Sequence, residues 1–132
     1  MKKTGKVLLA TMAILTATAS YAEIAVIVNP SSTASLDKNS ISNVFLGKDK
    51  SLKAIDLSDS TKNDFYQKIA GKNESQMKSY WSGLVFTGKG TPPKSLDSAQ
   101  AVIDYVKSDP NHIGYIPASA VSSDVKVILN LE

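Results

Sequence analysis

Apolar residues after position 23 follow the spacing of strands in some stretches and the spacing of helices in others. The run from 24 to 28 is apolar throughout, largely β-branched, and ends at Asn29. Such a run is typical of a strand buried on both faces, so we expect a central strand with parallel neighbours. Apolar residues at 41, 44 and 45 have helical spacing up to Gly47, which predicts a first helix over 37–46.

The middle of the chain predicts a strand, a tight turn and two helices. Residues 53–57 form a short strand candidate, and the polar cluster 58–61 is rich in residues that cap helix N-termini. Apolar residues at helical spacing then continue to Gly71. A second, strongly amphipathic helix ends near Gly88, and its apolar stripe consists of Met77, Tyr80, Trp81, Leu84 and Val85.

The last third of the chain predicts one helix and two strands. After a proline connector at 91–93, Asp97 or Ser98 caps a helix that Pro110 stops. Residues 112–116 and 125–129 have strand patterns, and the segment between them suits one helical turn. The order β, α, β, α, α, α, β, β predicts an α/β fold: a small, open, mostly parallel sheet of about four strands with helices on its faces.

The first 22 residues have the pattern of a secretory signal peptide. Three lysines precede an apolar run, and the segment closes with small residues before Glu23. We expect cleavage after Ala22 and export to the periplasm or medium, with residues 23–132 forming one binding-protein-like domain. The apolar run is shorter than the roughly 20 residues that span a bilayer, and no Cys follows it for lipid attachment. The mature form is therefore predicted to lack a membrane anchor.

Charge and composition exclude several function classes. All 15 basic side chains are Lys, and without the three in the first six residues the chain carries as many acidic as basic groups. Without Arg or a basic face, a nucleic-acid partner is not predicted. The chain has 0 Cys, which rules out disulfides and Cys-ligated metals. No nucleophile elbow, metal-spaced His pair or phosphate loop is present, so we predict no enzyme, no metal and no cofactor.

Two polar loops are the candidate ligand sites, because ligands in open α/β sheets lie beyond the carboxyl ends of strands. The first loop carries Asn29, Ser31 and Ser32; the second carries Asp59, Ser60 and Thr61 at a helix start. Helix N-termini favour anions, and Lys62 could add a positive charge. Ordinary turn and capping chemistry explains the same residues, and Asp59 would repel a dianion.

Two aromatic residues have a structural as well as a functional interpretation. Trp81 could stack on a ligand or dock a partner, but its place on an apolar stripe favours core packing. His112, the one His of the chain, is the candidate general base, yet it lies at a strand start far from any nucleophile motif.

Four stretches carry a resemblance to a known family, in the family's order: Ile24-Ala-Val-Ile-Val-Asn-Pro30, Ile41-Ser-Asn-Val-Phe-Leu-Gly-Lys48, Tyr80-Trp-Ser-Gly-Leu-Val-Phe-Thr-Gly88 and Ile113-Gly-Tyr115. The chain resembles the phosphate-type substrate-binding proteins of ABC transporters, which have the type II periplasmic binding protein fold. The resemblance implies an exported, non-enzymatic protein that binds a small oxyanion such as phosphate and works with an ABC transporter or another envelope protein. It covers about one of the family's two lobes.

The chain departs from the family at the expected ligand site. The family pattern places an Arg at a strand end and Ser-Gly-Thr at the next helix start; here the triplet is Asp59-Ser60-Thr61 and no Arg stands near Ile55. Two functions therefore stay open. The protein is a solute-binding module for phosphate or a similar oxyanion, or it is a single-lobe accessory protein of the envelope that has lost ligand binding. A homodimer would rebuild a cleft from two copies.

Overall fold

The computed structural model describes residues 23–132, and the signal-peptide prediction lies outside them. Five strands and four α-helices occur within this range. A short 3₁₀ turn (Ala118–Ala120) lies between the last two strands. Their bounds are β1 (Ile24–Val28), α1 (Lys38–Phe45), β2 (Lys53–Leu57), α2 (Ser60–Ala70), α3 (Glu74–Phe86), β3 (Lys94–Leu96), α4 (Ala99–Lys107), β4 (His112–Pro117) and β5 (Lys126–Leu131).

The strands form one open sheet in the order β3-β2-β4-β1-β5. The predicted α/β class with helices on an open sheet is confirmed, but the sheet is mixed rather than mostly parallel. Strand β2 runs parallel to β3 and β4, whereas β1 is antiparallel to both β4 and β5. The prediction of parallel neighbours for β1 was wrong. An interior strand covered on both faces is buried throughout whatever its direction, so an apolar run does not reveal the direction of its neighbours.

The fifth strand, β3, was not predicted from the sequence. Its first two residues are exposed, it has only 3 residues, and it pairs in parallel with β2 at the edge of the sheet. Strands this short and polar leave no alternating pattern to detect. The helix after it begins as expected: the Ala101 N–H donates to Ser98 Oγ over 3.1 Å, so Ser98 rather than Asp97 is the N-cap.

Helices cover both faces of the sheet, and β4 shows the division. A Cβ on Gly114 would lie 2.7 Å from Val102 Cγ1 of α4 and 2.9 Å from Ile55 Cγ2, so α4 packs at van der Waals contact on this face. On the other face, Tyr115 stacks on Phe65 of α2 with ring centroids 3.8 Å apart. This aromatic contact holds α2 over the centre of the sheet and sets where its N-terminus lies.

Helix α3 leaves the core before it ends. Met77 and Trp81 are buried, as the stripe predicts, but Val85 is 51% exposed and Phe86 is 92% exposed. The apolar stripe expected through Val85 is therefore partly solvent-exposed, because the last turn of α3 extends past the elements that cover its start. No helix within residues 23–132 has the length and apolar character needed to cross a membrane.

Candidate functional site

A cavity of about 600 Å³ opens where β2 ends, between the N-terminal turns of α2 and α3. We call it the β2 cleft. Its floor is Asp56 of β2, its rim includes Ser58 and Ser60, and its opposite wall is formed by α3 and by Pro92. The cleft therefore lies at the carboxyl end of a strand and the start of a helix, where ligands of open α/β sheets are commonly held.

Asp56 is a buried carboxylate, only 2% exposed. Its Oδ1 accepts hydrogen bonds from the Tyr66 hydroxyl at 2.8 Å and from the Tyr115 hydroxyl at 3.1 Å. The Lys62 Nζ lies 3.8 Å from its Oδ2. Burial raises the pKa of Asp56 from its ordinary value, and the tyrosine hydroxyls and the Lys62 ammonium offset this only in part. The pKa of each tyrosine is also raised, first by burial and then by the neighbouring carboxylate.

Asp59 caps the helix that begins at the rim. The Thr61 N–H donates to its Oδ1 over 2.8 Å, which satisfies one of the amides that an anion could otherwise bind. Ser60 is exposed and lines the β2 cleft, whereas Thr61 is half-buried and is not part of the lining. Asp59 therefore caps the helix through the Thr61 amide, as the capping interpretation expects. An open cavity nevertheless lies beside this cap.

Side chains of both charges line the β2 cleft. The acidic residues Asp56, Asp59 and Glu74 and the basic residues Lys62 and Lys78 all belong to its lining. Asn63 also lines it, and the Oδ1 of this residue is buried without a hydrogen-bond partner. Met77 and Trp81 form an apolar wall. The combination offers donors, acceptors and an apolar surface to one occupant.

The loop after β1 is closed by its own hydrogen bonds. Asn29 is 8% exposed, and its Nδ2 donates to the carbonyl oxygens of Val106 at 3.1 Å and Lys107 at 2.9 Å, at the end of α4. Its Oδ1 accepts from the N–H and the hydroxyl of Ser31 at 2.9 and 2.7 Å. Ser32 Oγ accepts from the Ala34 N–H at 3.2 Å. Asn29 thus joins a helix C-terminus to a turn.

The two candidate loops lie at opposite ends of the strands of the sheet. Val28 pairs with Ile113, and Ala54 pairs with the same residue, so the end of β1 is level with the beginning of β2. Ser58 follows the end of β2, four residues beyond Ala54 and so about 13 Å farther along the strand direction. The structure therefore does not bring Asn29, Ser31 and Ser32 together with Asp59, Ser60 and Thr61, because β1 runs antiparallel to β2.

Sequence reasoning placed Asp56 in a strand but assigned it no role in the site. The detectable signal is a carboxylate inside an otherwise apolar strand, since Asp is almost never fully buried without partners. The partners themselves were not detectable, because Tyr115 is 59 positions away in the sequence. Asn63 was missed as well, since an Asn on a helix surface carries no distinguishing pattern.

Trp81 and His112 occupy structural positions. Trp81 is 9% exposed and packs in the core at the edge of the β2 cleft, so it is not available for docking a partner. The His112 Nδ1 lies 2.7 Å from the Tyr105 carbonyl oxygen, and its ring stacks on Tyr105 at 3.8 Å. His112 stands outside the cleft lining. Within residues 23–132, no group of three or more acidic or His side chains could hold a metal ion.

Comparisons with known proteins place the fold. No protein-family model and no curated protein matches the chain. An ABC-type phosphate transport receptor from Vibrio cholerae superposes with a TM-score of 0.60 at 14% identity, covering 81% of this chain and 46% of the receptor. A protein described as a phosphate ABC transporter substrate-binding protein, with bound phosphate, from Clostridium perfringens gives 0.62 at 20% identity, covering 81% and 45%. The chain spans less than half the length of these proteins and has the fold of the part that it matches.

Proposed function

We propose that this protein is an exported, non-enzymatic module that binds a small solute in the β2 cleft. The fold shared with phosphate-transport receptors supports the solute-binding class. The single observation that carries the proposal is the cavity of about 600 Å³ that opens beside the start of α2, with side chains of both charges in its wall. Binding rather than catalysis agrees with the substrate-binding protein among the solved structures that share this fold.

A phosphate or a similar oxyanion is the first solute that the site suggests. The Ser60 hydroxyl, the ammonium groups of Lys62 and Lys78, and the positive end of α2 are donors for anionic oxygens. Asp59 and Asp56 oppose a bare dianion, and Asp56 already attracts Lys62. We therefore propose weak binding of inorganic oxyanions, in which Ser60 and Lys62 supply the main contacts.

Calorimetric titration of the purified protein with phosphate, sulfate and molybdate tests the solute-binding proposal. Saturable heat with at least one of these anions, reduced in a Lys62→Met variant and unchanged in Lys38→Met, is the expected result. Lys38 is the matched control because it is exposed at the start of α1 and lies outside the cleft lining. Silence with every anion at millimolar concentration would contradict oxyanion binding.

The proposed export has its own test. The intact mass of the protein recovered from the periplasmic fraction or the medium should correspond to a chain that begins at Glu23. A full-length mass in the cytoplasmic fraction would contradict both the cleavage site and the location.

The second candidate function is an accessory protein that binds an ABC transporter or another envelope protein and no solute. The observation that favours it is the end of α3, where Phe86 is 92% exposed and Val85 is 51% exposed. The Asp59 side chain already caps α2, and the Asn29 side chain is already bonded within the protein. Both contacts leave fewer polar groups for a solute, which agrees with this function. Light scattering with and without phosphate tests the homodimer that would rebuild a cleft from two copies, because a monomer that ignores the anion excludes ligand-dependent dimerisation.

A further inference from the structure

We infer that the solute of the β2 cleft is a small organic oxyanion that also carries a protonated amine, an inference that rests on the proposed solute-binding function. The juxtaposition behind it is a buried carboxylate, an unpaired amide oxygen, two ammonium groups and an apolar wall around one cavity. A phosphate monoester of an amino alcohol has this chemistry, with a short alkyl spacer between its two charges.

The floor of the cleft has room for a hydrogen-bond donor. Both tyrosine hydroxyls bind Oδ1 of Asp56, while Lys62 Nζ stays 3.8 Å from Oδ2. A charge-assisted hydrogen bond between nitrogen and a carboxylate is about 2.7 to 2.9 Å long, so Lys62 forms an ion pair with Oδ2 at a longer distance than such a bond. An ammonium group of a solute would supply the short donor that Oδ2 lacks, in a place where burial strengthens the attraction.

Asn63 gives an independent indication of the same kind. Its Oδ1 is buried and has no hydrogen-bond partner among residues 23–132. Buried polar atoms are nearly always paired, because a polar atom that loses water without a replacement is destabilising. The residue lines the β2 cleft one turn after Asp59, so we place the missing donor on a solute held there, toward which the amide would turn on binding.

The size and the wall of the cleft also indicate an organic solute. Sites for small organic ligands have volumes of roughly 300 to 1,000 Å³, and the β2 cleft, at about 600 Å³, lies within that range. An inorganic oxyanion has five heavy atoms or so and would leave most of this space to water. Met77 and Trp81 present apolar surface to the cavity, which suits the carbon atoms of a spacer.

The balance of charges selects against ions of a single sign. A bare dianion meets the carboxylates of Asp56, Asp59 and Glu74, and a bare cation meets the ammonium groups of Lys62 and Lys78. A zwitterion places each of its groups next to the opposite charge. Lys62, Lys78 and Ser60 would hold its oxyanion, while Asp56 and Asn63 would accept from its amine.

The matched pair O-phosphoethanolamine and ethyl phosphate tests the inference by calorimetry at pH 7.5. The two compounds share a dianionic phosphate, since monoesters lose their second proton near pH 6, and they differ in the ammonium group. We expect the aminated compound to bind about tenfold more tightly, the gain of one charge-assisted hydrogen bond. Inorganic phosphate, titrated in the same series, reports on oxyanion binding as such.

The variant Asn63→Leu identifies the acceptor, with Asn39→Leu of α1 as its control. The ratio of the two affinities cancels general effects of a substitution on the fold. A ratio that falls in Asn63→Leu and not in the control supports Asn63 as an acceptor for the amine. A ratio near one in the unchanged protein overturns the inference and leaves oxyanion binding intact, as does binding of inorganic phosphate without binding of either ester. A ratio insensitive to Asn63→Leu also overturns it. If none of the three compounds binds, the proposed function itself fails.

Discussion

The loops after β1 and after β2 are similarly polar, but the first uses its polar side chains within the protein and the second leaves some of them open. Each follows a buried strand and offers Asn, Ser, Asp or Thr side chains. After β1, the four hydrogen bonds of the Asn29 side chain are all made within the protein. After β2, one amide is capped by Asp59, while Ser60 and the cleft beside it remain open to a solute.

A polar loop at a strand end is a binding site only where nearby elements leave its polar groups unused. The C-terminus of α4 lies beside Asn29 and needs donors for its last carbonyl groups, so that side chain is already occupied. The start of α2 faces α3 across a cavity instead. Five substitutions test this contrast between a structural loop and a binding loop.

Asn29→Ala should have the largest effect on stability. The change removes two donors from the end of α4 and the acceptor that orders Ser31, so the free energy of unfolding should fall by about 2 kcal/mol. Urea unfolding monitored by Trp fluorescence measures it, with the exposed Asn130→Ala as control. Solute affinity should not change. A stable variant that no longer binds solute would mean that the loop after β1 belongs to the site.

Lys62→Met should weaken oxyanion binding about tenfold, because a hydrogen bond from an ammonium group to an anion is lost from a partly exposed position. Calorimetry with phosphate measures the change, and Lys38→Met should bind like the unchanged protein. Equal affinities in the two variants would place the anion somewhere other than the β2 cleft.

Asp56→Asn should change the pH dependence of stability. The folded-state pKa of Asp56 is raised above its ordinary value of 3.8, so the folded protein holds this proton more tightly than the unfolded chain. The stability contribution of Asp56 is therefore fully present below that ordinary value and declines as pH rises through the raised pKa. Asn does not titrate and can still accept from both tyrosines.

The gain in stability on Asp56→Asn should consequently be greater at pH 7 than at pH 4. Urea unfolding of the two proteins at both pH values measures the difference, in which the titration of the other carboxylates cancels. A difference that is the same at both pH values, or larger at pH 4, would contradict the raised pKa.

The smallest effects should come from a matched pair of serines. Ser60→Ala should leave stability within about 0.5 kcal/mol and weaken phosphate binding about threefold, since Ser60 is an exposed donor at the cleft. Ser31→Ala should lower stability by about 0.5 to 1 kcal/mol through its bond to Asn29 and leave affinity unchanged. Opposite results in the two variants would reverse the roles assigned to the two loops.

Much of the local structure could be read from short sequence patterns. The bounds of β2 were predicted as the structure has them. The start of the first helix near Asp37 followed from apolar spacing, and the starts within 58–61 and at Asp97 or Ser98 followed from capping residues. These predictions succeeded because burial periodicity and side-chain caps involve residues within four positions of one another.

The direction of β1 and the composition of the cleft depended on contacts between distant parts of the chain. The run Ile24–Val28 is equally compatible with parallel and antiparallel partners, since its side chains are covered on both faces in either case. The direction that β1 takes in the sheet decides whether the loop after it can meet the start of α2.

A strand, a cap or a turn is encoded by neighbours in the sequence, so the chain specifies β2 and the start of α2 from their own residues. The meeting of Asp56 with Tyr115, or the distance between Asn29 and Ser60, depends on how strands pair and helices pack across the whole sheet. Such long-range packing leaves no local pattern, and it is what separates the closed loop from the open cleft.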